Sequence, residues 1–159
     1  MSHLEVRPAE LTEANTWIEE VHSHHPKVTG HKFSLRCERD GEVMGFVVVG
    51  RTSPRSLHNG GLTLEVTRLC TDGEKNAGSK LLGAVARATG AMGYELLISY
   101  LQDGEAGTCF KAAGWIQVSL PRKRRQAEWS RRGRQLRLDG TTKQPPDTPR
   151  ARWEKRLTP

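Results

Sequence analysis

A chain of 159 residues, 35% apolar and 27% charged, has one-domain length and enough sequence to bury a core, which leaves no room for a second catalytic domain. Its longest apolar run falls far short of the roughly 18 residues a membrane span needs, and the opening Met1-Ser2-His3-Leu4-Glu5 lacks the basic and apolar regions of a secretory signal. A soluble, cytoplasmic protein without a membrane partner is therefore expected.

Leu4 to Arg7 alternates apolar and charged residues and is stopped by Pro8, the pattern of a first strand. Leu11, Ala14, Trp17, Ile18 and Val21 then recur at helical spacing, so Leu11 to Val21 is expected to be a helix that ends before Pro26. Phe33, Leu35 and Cys37 alternate with Ser34, Arg36 and Glu38, a half-buried strand; Asp40-Gly41 signals a hairpin, and Val43 to Val49 returns with apolar residues on both faces as far as Gly50. After a Gly60-Gly61 turn come a strand from Leu62 to Cys70 and a helix from about Ala77 to Thr89, with Leu81, Val85, Ala88 and Met92 on one face and Gly90 and Gly93 as its stop. Tyr94 to Leu101 reads as a strand, Glu105 to Ala113 as a short helix ended by Gly114, and Trp115 to Leu120 as a further strand. A strand, crossover helix and strand in succession make the two strands parallel. Beyond Pro121 the chain is basic and then Pro/Thr-rich, with Arg150 to Leu157 expected to return as an edge strand.

The loop GEKNAGSK, Gly73 to Lys80, joins the Leu62–Cys70 strand to the helix that follows. It is one transposition from a nucleotide-triphosphate loop, but there the lysine directly follows the second glycine; here Ser79 intervenes, and one residue along a helix turns Lys80 about 100° away. The same helix N-terminus can hold a pyrophosphate without a metal, through free N–H groups and the helix dipole, provided small residues allow close approach. Asn76, Ala77, Gly78 and Ser79 are small enough.

This loop, read as Lys75-Asn76-Ala77-Gly78-Ser79-Lys80, resembles the coenzyme A loop of the GNAT superfamily of N-acetyltransferases. The resemblance extends to the order of elements from Leu4 to Leu120, and to Asp103, Ala106, Phe110 and Gly114-Trp115, which stand where that family has Asn, Ala, Tyr and Gly-Phe. It implies an α/β (α+β) fold: a mixed, largely antiparallel sheet flanked by helices, with a splayed parallel strand pair. It also implies an acyl-CoA cofactor, acetyl-CoA or another acyl-CoA, held by Lys75 to Lys80, with the amides of Leu69, Cys70 and Thr71 orienting the thioester. Lys75 and Lys80 depart from the family's pattern, and Phe110, in place of the tyrosine that protonates the departing thiolate, cannot donate a proton. Tyr100 or water is then the acid, and Glu65, Tyr100 and Asp103 are the candidate catalytic residues. Glu65, on a face with Thr67 and Leu69, stands where some members hold a general base; the plain alternative is a carboxylate paired with Arg68 or Arg87.

The segments HSHHPKVTGHKFSL, LEVTRLCTDGEKNAGSKLLGAVARA and AGW, followed by an arginine-rich tail with Trp129 and Trp153, look more narrowly like the phage-associated branch that includes the DNA-modification protein Mom. Residues 1–120 would form the acyltransferase core, and 121–159 a basic, Pro-containing extension packed on or next to it. The net charge of +7 has a local source, since seven arginines and Lys123 between Arg122 and Arg137 face one acid, Glu128. Such a run attracts polyanions by releasing condensed counterions, although a basic loop can also do no more than keep a protein soluble. Arg122, Arg124, Arg125, Arg131 and Arg132 are candidate DNA contacts.

His22, His24, His25 and His31 are dense enough to suggest a metal, but ligands at i and i+2 do not share a helical face and no cysteine is near, so no metal site is expected. The segment is expected instead to wall the acceptor site, with His25 or His31 touching substrate. Cys37, Cys70 and Cys109 form no CxxC pair; they read as reduced core thiols. The expected activity is N-acyl transfer to a nucleic-acid base by a monomer or homodimer. A small-molecule N-acetyltransferase and an inactive fold that binds nucleic acid are the rival readings.

Overall fold

The computed structural model describes residues 3–21, 27–52, 59–102, 106–119 and 149–157. Asp103, His25 and the five candidate arginines between 122 and 132 lie outside them. The described elements are β1 (Glu5–Ala9), α1 (Leu11–Val21), β2 (Phe33–Arg39), β3 (Glu42–Arg51), a short 3-10 turn (Asn59–Gly61), β4 (Thr63–Thr71), α2 (Ala77–Ala91), β5 (Leu96–Gln102), α3 (Thr108–Ala112), β6 (Ile116–Gln117) and β7 (Arg150–Arg156). Among the described residues the strands form one seven-stranded sheet in the order β1-β2-β3-β4-β5-β7-β6. Every pairing is antiparallel except β4 with β5. This is the expected mixed, largely antiparallel sheet.

The local causes are mostly those the residues suggest. Asp40 (φ 52°) and Gly41 (φ 83°) both adopt positive φ, as a two-residue hairpin turn between right-twisted strands requires. Pro8 does not stop β1: it pairs opposite Leu35, and on an edge strand its missing N–H removes no ladder bond. β3 is buried from Met44 to Gly50 because it lies between two helical layers. On one side Ala14 and Ile18 of α1 cover Phe46 and Val48; on the other, Leu81, Leu82 and Val85 of α2 cover Val47, Val49, Leu64, Val66 and Leu97.

Three expectations are corrected. The buried face of α2 carries Leu81, Leu82, Val85 and Thr89, whereas Met92 is 55% exposed; Thr89 is tolerated there because its hydroxyl donates to Val85 O at 2.7 Å. Gly90 lies inside α2, and Gly93 (φ 91°) follows its end. Finally, β7 is no edge strand. It pairs with β5 from Leu96↔Arg156 to Gln102↔Arg150 and with the two-residue β6 on its other side. Ala151 and Trp153 alternate inward from it and are buried beside Leu101 and Phe110, so an apolar stripe drives β7 into the sheet.

Trp153 also accounts for Gly107, whose φ is 64°. A Cβ there would lie 2.7 Å from Trp153 Cζ2, so only glycine fits both the conformation and the space. Phe110 is 5% exposed, edge-on to Trp115 at 5.0 Å and near Trp153 at 6.1 Å. It is a core residue on the α2 side of the sheet.

Candidate active site

β4 and β5 are hydrogen-bonded only from Thr63↔Leu96 to Glu65↔Ile98; beyond this register the parallel strands part. At the opening, the Ser99 hydroxyl donates to Val66 O at 3.0 Å and so occupies one carbonyl that the ladder leaves over. The wedge that follows is edged by Val66 to Thr71 on one side and Ser99 to Gln102 on the other.

A bulge in β4 decides which side chains face which way. Val48 pairs with Arg68 but Val49 with Val66, so Thr67 is the additional residue, and its hydroxyl donates to Val48 O at 3.2 Å. The expected alternation that would place Glu65 with Thr67 and Leu69 is therefore shifted. Glu65 pairs with Gly50, and Arg68 with Val48, which sets Glu65, Arg68 and Cys70 on the α1 face of the sheet. Leu69 turns to the opposite face and packs on the α2 core. Since Glu65 pairs with Ile98, Tyr100 and Gln102 follow on the α1 face of β5. Glu65 and Tyr100 thus share one face at the mouth of the wedge, while Phe110 lies on the other.

The wall of this face is the chain before β2. Lys32 N–H donates to Val49 O at 2.7 Å, and a Cβ on Gly50 would lie 3.8 Å from Gly30 O and 3.9 Å from His31 Cα. The absence of a side chain at Gly50 lets Gly30 and His31 rest against β3, beside the bulged Thr67. His31 is half-buried, with Nδ1 2.8 Å from Ser34 Oγ. It borders an open cleft of about 420 Å³ lined by Thr29, Gly30, His31, Lys32 and Arg51.

At the far end of β4 the loop to α2 is held from several sides. Asp72 N–H donates to Met44 O at 3.0 Å, Glu74 N–H to Asp72 Oδ1 at 3.0 Å, and Arg39 pairs with Glu74 at 2.8 Å. Gly73 (φ 97°) and Asn76 (φ 69°) turn the chain so that α2 begins at Ala77. In the helix's first turn, Ala77 N–H donates to Glu74 O and Lys80 N–H to Asn76 O. The N–H groups of Gly78 and Ser79 have no backbone partner among the described residues. Two N–H groups without a backbone partner at the positive end of a 15-residue helix are donors of the kind that an anion accepts from, and an extended wedge leads away from them. These residues fit a pyrophosphate carrying a long, narrow tail, which is the shape of coenzyme A.

The smallness of Gly78 has another cause than the one its place in the loop suggests. A Cβ there would lie 3.2 Å from Cys109 Cβ and 3.9 Å from Leu69 Cδ2, so glycine lets α2 approach α3 and β4. Asn76 and Ser79, exposed and half-buried respectively, remain on the open side. Arg68, Arg150 and Arg152 belong to the same region as Glu65 and Tyr100 and are not legible in the loop motif; the period-two alternation of RARWEKR is the signal that places the β7 arginines opposite Trp153.

No family model matches the chain, and no curated protein matches it in sequence. Solved structures do resemble it. An IAA acetyltransferase from Bacillus cereus matches with a TM-score of 0.68 at 12% identity, over 98% of this chain and 100% of that one. The ribosomal-protein-S18-alanine N-acetyltransferase from Escherichia coli matches with a TM-score of 0.66 at 12% identity, over 98% and 95%. A Bacillus subtilis acetyltransferase solved in complex with CoA matches with a TM-score of 0.60 at 11% identity, over 98% and 100%. At such identities the likeness is one of fold: the chain has the GNAT acetyltransferase fold.

Proposed function

We propose that the chain is an acyl-CoA-dependent N-acyltransferase, acetyl being the group transferred, whose acceptor is an amine on a nucleic-acid base or modified base, as in the phage branch that includes Mom. The observation that carries the transferase reading is the parting of β4 and β5 after Glu65↔Ile98, with the unsatisfied amides of Gly78 and Ser79 at its end. A neighbour of the same fold solved with CoA supports the cofactor. Acyl-CoA, when bound, supplies an activated thioester. The first-turn amides of α2 and Lys75 hold the anionic end, and those amides among Leu69, Cys70 and Thr71 that point away from β3 are the donors available to a carbonyl oxygen in the wedge. Glu65 takes the proton from the attacking amine, directly or through water, and Tyr100 O–H, on the same face, is the donor for the departing sulfur. Asp103, the next residue in sequence after β5 and outside the described residues, is carried as a further candidate acid or base on the family resemblance alone.

The nucleic-acid part rests on charge. The net charge of +7 is concentrated between Arg122 and Arg137, and Lys32, Arg51, Arg68 and Arg150 add to it around the acceptor face. Changing Arg124, Arg125, Arg131 and Arg132 together to Ser should flatten the slope of log DNA affinity against log salt by about 0.9 for each phosphate no longer neutralised, with acetyl-CoA affinity unchanged. DNA affinity that ignores both salt and these arginines would return the chain to the small-molecule acetyltransferases; a salt slope without thiol release would mark an inactive DNA-binding fold.

A further inference from the structure

The segment before β2 is held at both ends. At one end the Asn15 side chain of α1 grips the backbone of Val28: its Nδ2 donates to Val28 O at 2.9 Å, and Val28 N–H donates to its Oδ1 at 3.0 Å. At the other, Lys32 N–H donates to Val49 O at 2.7 Å. Thr29, Gly30 and His31 lie between these anchors and line, with Lys32 and Arg51, the open cleft of about 420 Å³. We propose that this cleft is an anion subsite in which Lys32, Arg51 and the free amides of Gly30 and His31 take a phosphate of the acceptor. The subsite deepens the acyltransferase reading, and the identity of the acceptor rests on that reading.

Two cations line the cleft and, among the described residues, no acid does. Neither Lys32 nor Arg51 forms a salt bridge among the described residues, whereas Arg7, Arg36, Arg39 and Arg152 are each held by a glutamate. The backbone sets the two cations side by side: Arg51 stands two residues beyond Val49, the acceptor of the Lys32 N–H, which is about 7 Å along β3. Both side chains are exposed, as suits a phosphate that keeps part of its water. The backbone adds donors. The N–H groups of Thr29, Gly30 and His31 have no backbone partner among the described residues, and successive amides left over in this way are what backbone anion sites use. A Cβ on Gly30 would meet nothing within 4 Å, and Gly30 is not among the glycines with positive φ. Neither packing nor conformation therefore calls for glycine there, whereas close approach of a ligand to the backbone does. Arg, Lys, Thr and backbone N–H groups are the contacts that nucleic-acid phosphates receive. The cleft also adjoins the chemistry: His31 Cα would lie 3.9 Å from a Cβ on Gly50, and Gly50 pairs with Glu65, the proposed base.

Amide NMR on the full-length protein tests this, with inorganic phosphate titrated in and chloride at matched ionic strength as the reference. The N–H signals of Gly30 and His31 should shift saturably with phosphate and not with chloride. Lys32→Gln and Arg51→Gln should each weaken phosphate binding roughly tenfold, the lower end for a hydrogen bond to a charged group, because both side chains are exposed. Lys32→Arg and Arg51→Lys keep the charge, should weaken binding less, and serve if a glutamine variant misfolds. No phosphate-specific shift at Gly30 and His31, or unchanged phosphate affinity in a folded protein carrying both glutamines, overturns the subsite. A nucleoside monophosphate and a short oligodeoxynucleotide then separate the sources of the phosphate: tighter binding of the first marks a free nucleotide, and of the second a nucleic-acid backbone. Acetyl-CoA affinity, measured in parallel by calorimetry on the double variant, reports on the α2 loop without the cleft's charges. Its absence would sink the transferase reading while leaving the phosphate result standing.

Discussion

Ser79→Glu separates binding at the α2 N-terminus from the integrity of the fold. Ser79 is the third residue of α2; its N–H has no backbone partner among the described residues, and its hydroxyl makes one 3.2 Å bond to Asn76 O. A carboxylate here favours the helix by about 0.3–1 kcal/mol through the dipole, so thermal stability should hold or rise slightly. A pyrophosphate seated on the same amides would meet the new charge at about 6 Å, which at an effective dielectric constant near 20 costs about 3 kcal/mol per unit charge. That corresponds to roughly a hundredfold loss of affinity. Calorimetric titration with acetyl-CoA and a parallel melting curve measure both quantities. Unchanged affinity would refute phosphate binding at this turn, and a lost fold would refute the helix-terminus geometry on which the estimate rests. Gly78→Asp is the poorer probe, since its Cβ would be driven to 3.2 Å from Cys109 Cβ and the packing of α2 on α3 would suffer together with any binding.

Tyr100→Phe should lower turnover at saturating substrate about a hundredfold, the usual scale for a general acid, with acetyl-CoA affinity intact; an unchanged rate would assign the proton to water or to another residue. Gly107→Ala should destabilise by about 2–4 kcal/mol, from overpacking on Trp153 and an unfavourable positive φ, and lower Tm by about 5–10 °C. An unchanged melting temperature would mean that Trp153 Cζ2 does not stand 2.7 Å from where a Cβ on residue 107 would lie.

The elements that were legible in the sequence are those whose signal is local. The helical spacing from Leu11 to Val21 gives α1 its observed bounds, Asp40-Gly41 gives the hairpin, and the strand-loop-helix-strand order around Gly73 to Lys80 gives the parallel β4–β5 pair and the helix N-terminus, while the splay of that pair is implied only by the family resemblance. The facing of Glu65 was not legible, because a bulge is a property of the pairing: nothing in LEVTRLC distinguishes Thr67 as the residue that the β3 ladder passes over. The place of β7 likewise depends on β6 being two residues long, and on Trp153 finding Phe110 and Gly107 across more than 40 residues of chain. Gly78 shows the converse: a glycine at a motif position whose packing against Cys109 no motif reveals.

The proposed transfer of an acyl group from coenzyme A to an amine of a nucleic-acid base, with Glu65 and Tyr100 as the proposed base and acid, is open to direct observation. The full-length protein is incubated with acetyl-CoA and DNA, free thiol is measured, and the nucleosides are analysed by mass spectrometry. Thiol release should depend on DNA and be accompanied by a nucleoside heavier by one acetyl group, both abolished by Glu65→Gln with Tyr100→Phe. Thiol release with small amines and none with DNA, or DNA left unmodified while thiol appears, would rule out a nucleic-acid acceptor.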